Sequence, residues 1–405
     1  MVQWQEAWST ETGIDTVKNL FRTTYGQEPA GVWASPGRVN LIGEHTDYNG
    51  GLCLPIALPH RTYVAASPRT DTAVRMTTDL ADGQVWESQL SDIAPGKVKG
   101  WVAYCAGPLW AIAEDGIPLT GMDIAIASCV PLGAGLSSSA AVECAVALAA
   151  TDLAGRPHDR DDATRAHLAN LCVRAENEVA GAPTGGMDQA ASLRTQEGHA
   201  ILLDCLDGHI DLVHVDLAAS GLELIVIDTK ASHSLDDGQY GARRASCEAA
   251  CEILGISTLR EIADAPTQEQ DDALARLTDE VMQRRVRHVL TEIVRVRDFV
   301  ASAQANNWAE AGQLMNASHA SLRDDYEVSC EELDVAVDAA QKAGALGARM
   351  TGGGFGGSAI ALARHEDTEK ITEAVLSEVK AKNLPTPVFQ LATPSTPGGR
   401  LDLSC

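Results

Sequence analysis

The most constraining stretch of this 405-residue chain is an apolar strand that runs through a glycine and serine loop into an alanine-rich helix. MDIAIASCV (122–130) reads as the strand, PLGAGLSSSA as the loop, and the residues up to about Leu153 as the helix. Gly133 and Gly135 allow backbone N–H groups to turn toward a ligand, hydroxyls follow at Ser137, Ser138 and Ser139, and a helix N-terminus adds its positive dipole end. Those are the requirements of a nucleotide triphosphate. A serine-capped helix after a glycine turn is the plainer alternative, and the local residues leave both open. The G-x-x-x-x-G-K-[ST] pattern occurs nowhere in the chain, which excludes an ordinary P-loop nucleotidase.

Two further segments carry chemistry. Gly352, Gly354 and Gly357 spell G-x-G-x-x-G, but SAIALA follows as a strand where a dinucleotide fold requires a helix. A tight turn, with its glycine surface packed beside the first loop, fits better. The run GRVNLIGEHTDY (37–48) gathers Arg38, Glu44, His45 and Asp47 between apolar residues. Carboxylates accept hydrogen bonds and imidazole donates or accepts them, so such a run can grip vicinal sugar hydroxyls; a solvated surface turn is the alternative.

Strands and helices mix in both halves without regular βαβ alternation, which predicts an α+β fold. Length predicts two domains, divided here at 1–205 and 206–405. The spacing predicts helices over 3–24, 101–114, 162–180, 236–255, 278–302, 307–317 and 331–344, and GAPTGGMDQAAS is too rich in Gly and Pro to extend the third of these. Charge narrows the partners. With 31 Lys and Arg against 56 Asp and Glu, a net charge of −25 disfavours a nucleic-acid or anionic-membrane binder. The N-terminus lacks a basic and apolar leader pattern, and the longest apolar stretch is broken by Glu143 and Asp152, so a cytoplasmic protein is expected. Ten cysteines without any C-x-x-C predict reduced, mostly buried thiols rather than a zinc site.

PGRVNLIGEHTDYNGG resembles the galactokinase signature, VPLGAGLSSSAA the nucleotide loop of the GHMP small-molecule kinase superfamily, and MTGGGFGGSAI its third glycine motif, in the family's order. AENEVAGAPTGGMDQ (175–189) and HSLDDGQYGARR (233–244) extend the resemblance across nearly the whole chain. It implies a two-domain GHMP-kinase fold: an N-terminal mixed-sheet domain, a C-terminal ferredoxin-like domain and an active site in the cleft between them. The implied reaction moves the γ-phosphoryl group of ATP to the anomeric hydroxyl of α-D-galactose, the committed step of galactose use by the Leloir pathway. Asp188 matches the catalytic aspartate and Arg38 its partner. Glu44, His45, Thr46, Asp47, Gly185 and Tyr240 match the galactose site. Gly133, Ala134, Gly135, Leu136, Ser137, Ser138 and Ser139 match the ATP phosphate loop, and Ser139 with Glu176 the magnesium ligands. A monomer acting on galactose and MgATP is expected. Another sugar 1-kinase, taking N-acetylgalactosamine or arabinose, and a sugar-binding regulator without catalysis are the competing readings; the second is disfavoured by the intact serine loop.

Overall fold

The computed structural model describes residues 2–80, 83–231 and 238–401. Strands β1 (Gly31–Asn40), β2 (Leu52–Cys53), β3 (Pro55–Pro68), β4 (Ala73–Thr78), β5 (Trp86–Gln89) and β6 (Met122–Ser128) belong to the N-terminal half. Five of them, with β13 (Gly399–Leu401), make a sheet of order β13-β1-β3-β6-β4-β5, mixed because β4 runs parallel to β6. Period-2 alternation sends successive residues to opposite faces. Val32, Ala34, Tyr63, Ala65, Ala125 and Ala127 pack under α1 (Thr10–Tyr25). Trp33, Val64, Ala66, Ile124 and Ile126 pack on the side of α2 (Trp101–Glu114) and α3 (Ser138–Leu153). Both faces are therefore covered, and β1 is buried along its whole length.

The first helix starts later than its apolar spacing suggests. Ser9 caps it, accepting from Thr12 N at 3.1 Å, and the residues before it pair instead with β12 (Val388–Ala392), Gln5 N donating to Phe389 O at 2.9 Å. The helix over 162–180 is α4 (Asp162–Arg174) followed by a π-helical turn at Ala175–Ala180. GGMDQAAS, read from its glycines as a loop, becomes α5 (Met187–Arg194) directly after Gly186, which takes a left-handed conformation.

β7 (His199–Asp204), just before residue 205, and β8 (Ile210–His214), just after it, join β2 in a small sheet. Then β9 (Leu222–Asp228), β10 (Gly347–Thr351), β11 (Ser358–Arg364) and β12 form an antiparallel sheet of order β10-β11-β9-β12. That order, with the first and third strands central, is the ferredoxin-like arrangement. Between β9 and β10 run α6 (Gln239–Leu254), α7 (Arg260–Ala263), α8 (Thr267–Arg276), α9 (Glu280–Gln304), α10 (Trp308–Asp324) and α11 (Glu331–Ala343), and α12 (Thr368–Ala381) precedes β12. Residue 205 lies in the turn between β7 and β8, and the chain crosses between halves at both ends, through β13 on β1 and Trp4 beside Phe389. One apolar core joins Val39, Leu41 and Ile56 to Ile225, Ile227 and Val296, holding the walls of the cleft together.

Candidate active site

Close backbone contact builds the floor of the cleft. The pairing of β1 with β3 shifts register between Pro36 and Arg38, at Gly37. A Cβ on Gly37 would lie 2.6 Å from Leu136 O, so only glycine lets this irregular point touch the serine loop. Arg38 N donates to that same carbonyl at 3.1 Å. On the other side, a Cβ on Gly352 would meet Gly135 O at 2.9 Å, and one on Gly357 would meet Ala134 O at 3.0 Å. The third glycine motif is thus a packing surface for the first loop, as its strand context predicts. Ala134 faces this contact, its carbonyl accepting from Ser358 Oγ at 2.7 Å.

Asp188, in the first turn of α5, stands opposite. Arg38 donates to it twice, from Nε to Oδ1 at 2.9 Å and from Nη2 to Oδ2 at 3.1 Å, while Nη1 is anchored on Gly135 O at 2.7 Å. Ser137 Oγ also donates to Oδ2, at 2.5 Å, and Ser137 holds a positive φ of 59°. Arg38 Nη2 also stands 2.9 Å from Oδ1, so Arg38 and Ser137 together fix both oxygens of a carboxylate that lines the cavity. The serine loop therefore divides its labour: Ser137 addresses Asp188, whereas Ser138 and Ser139 open α3 and line the cavity.

The residues matching the sugar site separate by position. Glu44 lines the cavity and ties it to the third glycine motif, Oε1 accepting from Gly352 N at 2.8 Å and Thr351 Oγ1 at 3.2 Å, with the buried Arg349 at 3.4 Å. His45 sits at φ 62°, and burial depresses its imidazole to about 3, so the ring is neutral. Its Nε2 donates to Gly353 O at 3.1 Å, which leaves Nδ1 to accept from Tyr48 OH at 2.8 Å. Burial, then the charge of Asp188, pushes the Asp47 carboxyl up to about 6. A Cβ at Gly185 would fall 2.2 Å from Asp47 Oδ2, so glycine makes room for that carboxylate. Tyr240 lines the cavity 5.4 Å from the His45 ring. Thr46 does not reach the cavity. It is fully buried, and its hydroxyl contacts Gly43 O at 3.0 Å and Leu52 O at 2.7 Å, closing the loop on itself.

Glu176 lies on the π-helical turn, a local widening that often marks functional positions. Burial and the charge of Asp188 raise its carboxyl to about 7, opposed by hydrogen bonds from Gln189 and Ser139. Ser139 and Glu176 are thus brought together on the cavity wall.

The sequence reading misses several groups of the site, some behind the cavity wall and some lining it. Tyr326 OH contacts Tyr48 OH at 2.8 Å behind His45, yet DDYEVS carries no pattern to single it out. Tyr48 stands inside the signature, and its place there is signal enough to name it. Leu80, Trp101, Tyr104, Leu132 and Val142 line an apolar end beyond the serine loop; Leu132 and Trp101 stand out as large exposed apolar side chains. The whole cleft measures about 990 Å³.

Comparison with known proteins agrees with this architecture. Residues 19–68 match the family described as galactokinase galactose-binding signature, 103–196 the GHMP kinases N terminal domain, and 299–381 the GHMP kinases C terminal. The galactokinase of Streptomyces coelicolor is 49% identical over 96% of this chain and 99% of its own. That of Mycobacterium tuberculosis H37Rv is 44% identical over 85% and 92%, and that of Canis lupus familiaris 38% over 88% and 90%. The crystal structure of Lactococcus lactis galactokinase complexed with galactose superposes with a TM-score of 0.89 at 31% identity, covering 96% of this chain and all of that one. Methanococcus jannaschii mevalonate kinase, at 16% identity and a TM-score of 0.60 over 90% of this chain and 98% of its own, shares the fold.

Proposed function

The chain belongs to the galactokinase family of the GHMP kinases, and on that premise we propose that its cleft transfers the γ-phosphoryl group of ATP to the anomeric hydroxyl of α-D-galactose through Asp188 and Arg38. The observation that carries this reading is the bidentate Arg38–Asp188 pair, set on the cavity wall between the sugar loop and the N-terminus of α3. A sugar hydroxyl is a poor nucleophile, so transfer needs an acceptor for its proton and positive charge beside the moving phosphoryl group. Asp188 takes or orients the proton, and the Arg38 guanidinium faces the charge that develops on the equatorial oxygens.

Glu44, Asp47 and Tyr240 hold the sugar from three sides. His45 shapes the same pocket from behind, its two ring nitrogens already engaged, and Thr46 acts by fixing the loop. Gly185 gives Asp47 its room. Triphosphate lies along Gly133 to Ser139, where backbone and helix dipole compensate for an acidic chain. The base rests against Trp101, Tyr104 and Leu132 at the apolar end. Magnesium prefers hard oxygens and few protein ligands. The Ser139 hydroxyl and Glu176 carboxylate fit, being oxygen donors on the cavity wall whose surplus negative charge, seen in the raised Glu176 carboxyl, a cation would relieve. When bound, the ion draws charge from the phosphates.

The direct test is ADP formation with ATP, Mg²⁺ and each of galactose, N-acetylgalactosamine and arabinose. Galactose should be turned over with the highest kcat/KM, and negligible turnover of galactose would remove the reading. Acidity offers a second check. The Asp47 carboxyl accepts sugar hydroxyls when ionised, and its free-enzyme value is about 6. At saturating MgATP, kcat/KM for galactose should be flat above pH 7 and fall toward about tenfold per pH unit below 6. Asp47→Asn should give a lower profile without that inflection; an identical inflection in the variant assigns it elsewhere.

A further inference from the structure

Next to Glu176, outside the cavity lining, are two side chains that no step above uses. Glu143 on α3 is fully buried, as is Gln189 on α5. Gln189 Nε2 donates to Glu176 Oε2 at 2.6 Å and to Glu143 Oε2 at 3.0 Å. One amide thus places its two N–H bonds on two carboxylates from different elements. Gln189 Oε1 and Glu143 Oε1 are buried and have no hydrogen-bond partner among the described residues. An ionised Glu176 oxygen accepts and does not donate, so it takes an N–H of the amide rather than its carbonyl.

We propose that Glu143 and Gln189 are positioning residues: Glu143 anchors the Gln189 amide, which fixes Oε2 of Glu176 and so holds that carboxylate in the orientation a divalent cation at the ATP phosphates requires. This rests on the reading of Glu176 as a cation ligand. A carboxylate on a π-helical turn has weaker backbone support than one inside a regular helix, and a hydrogen bond to one of its oxygens restricts its remaining freedom. Burying Glu143 without full hydrogen bonding is unfavourable, so a residue of this kind needs a compensating role. Alanine-rich packing on α3 offers no structural reason for it.

The test measures Mn²⁺ binding, as a spectroscopic stand-in for Mg²⁺, to enzyme saturated with β,γ-imido-ATP, followed by loss of the free Mn²⁺ resonance. Gln189→Leu and Glu143→Met should each weaken Mn²⁺ about 10- to 100-fold, the range for partners of metal ligands, and raise the Mg²⁺ concentration for half-maximal turnover in parallel. Glu143→Gln keeps an acceptor for the amide and should retain Mn²⁺ affinity within about threefold, a rescue that a loss of packing would not show. Galactose binding without nucleotide reports whether each variant is folded; where one is not, the other decides with Glu143→Gln. Wild-type Mn²⁺ affinity in either folded variant overturns the proposal, as does Glu143→Gln weakening it as far as Glu143→Met. Glu176→Ala separates the two layers: if it leaves Mn²⁺ affinity unchanged, the ligand reading itself has failed.

Discussion

Replacing Asp188 by Asn should lower kcat by about 10³-fold or more, roughly 4 kcal/mol of barrier, while galactose still binds within a few-fold of its normal affinity. The size follows from how the carboxylate is held. Arg38 and Ser137 direct three hydrogen bonds onto its two oxygens, which fixes the carboxylate on the cavity wall. Asparagine has nearly the same shape, but one oxygen becomes an N–H₂ group that faces either donor or ligand with the wrong polarity. The proposed sugar contacts through Glu44, Asp47 and Tyr240 are separate side chains, so the loss is expected in kcat rather than KM. Steady-state ADP release gives kcat, and calorimetric titration with galactose gives the affinity. Turnover like that of the unaltered enzyme would refute the role, and an equal loss in both quantities would make Asp188 a binding residue.

Much of this site is legible in the amino-acid sequence, because its parts are short and local. Gly133 and Gly135 point to a loop turned on a ligand and Gly352 to Gly357 to a turn packed beside it, and Gly352 and Gly357 do pack on Gly135 and Ala134; the contact of Gly37 with Leu136 carries no such signal. What stays hidden depends on partners distant in the chain. Thr46 lies among cavity residues in the signature, yet its hydroxyl turns toward Leu52 O, since a buried threonine takes the nearest carbonyl. Ser137 reads as a phosphate donor, and only the arrival of α5 gives it Asp188. The π-helical turn under Glu176 has no pattern of its own, because it closes the helix at Ala175–Ala180 and no further turn follows to reveal the shift in register. Gly185-Gly186 suggests a loop through Asp188, whereas Gly186 adopts its left-handed conformation immediately before a helix. The ferredoxin-like sheet is legible only through the resemblance. Its strand order comes from a crossing more than a hundred residues long, between β9 and β10, which periodicity does not encode.

Changing Arg38 to Met should lower kcat by about 10²- to 10³-fold, and Lys should restore little of it. The guanidinium makes three bonds in one plane: two to Asp188 and one to Gly135 O in the serine loop. Lysine brings the charge as a single point and cannot span both carboxylate oxygens while reaching the loop. Methionine fills the same buried channel but leaves Asp188 with Ser137 as its remaining donor, so the carboxylate loses its aim as well as its counter-charge. The two residues should therefore fail as a unit. If Arg38 acted on the phosphoryl group independently of Asp188, the Arg38→Met/Asp188→Asn double variant would lose the product of the single losses, about 10⁵-fold or more. Because the aim of Asp188 depends on Arg38, the double variant should instead fall little below the worse single one. Measuring the four rates under saturating galactose and MgATP decides between a positioned base and two separate contributions. Strict multiplicativity would show that the pair is a coincidence of packing.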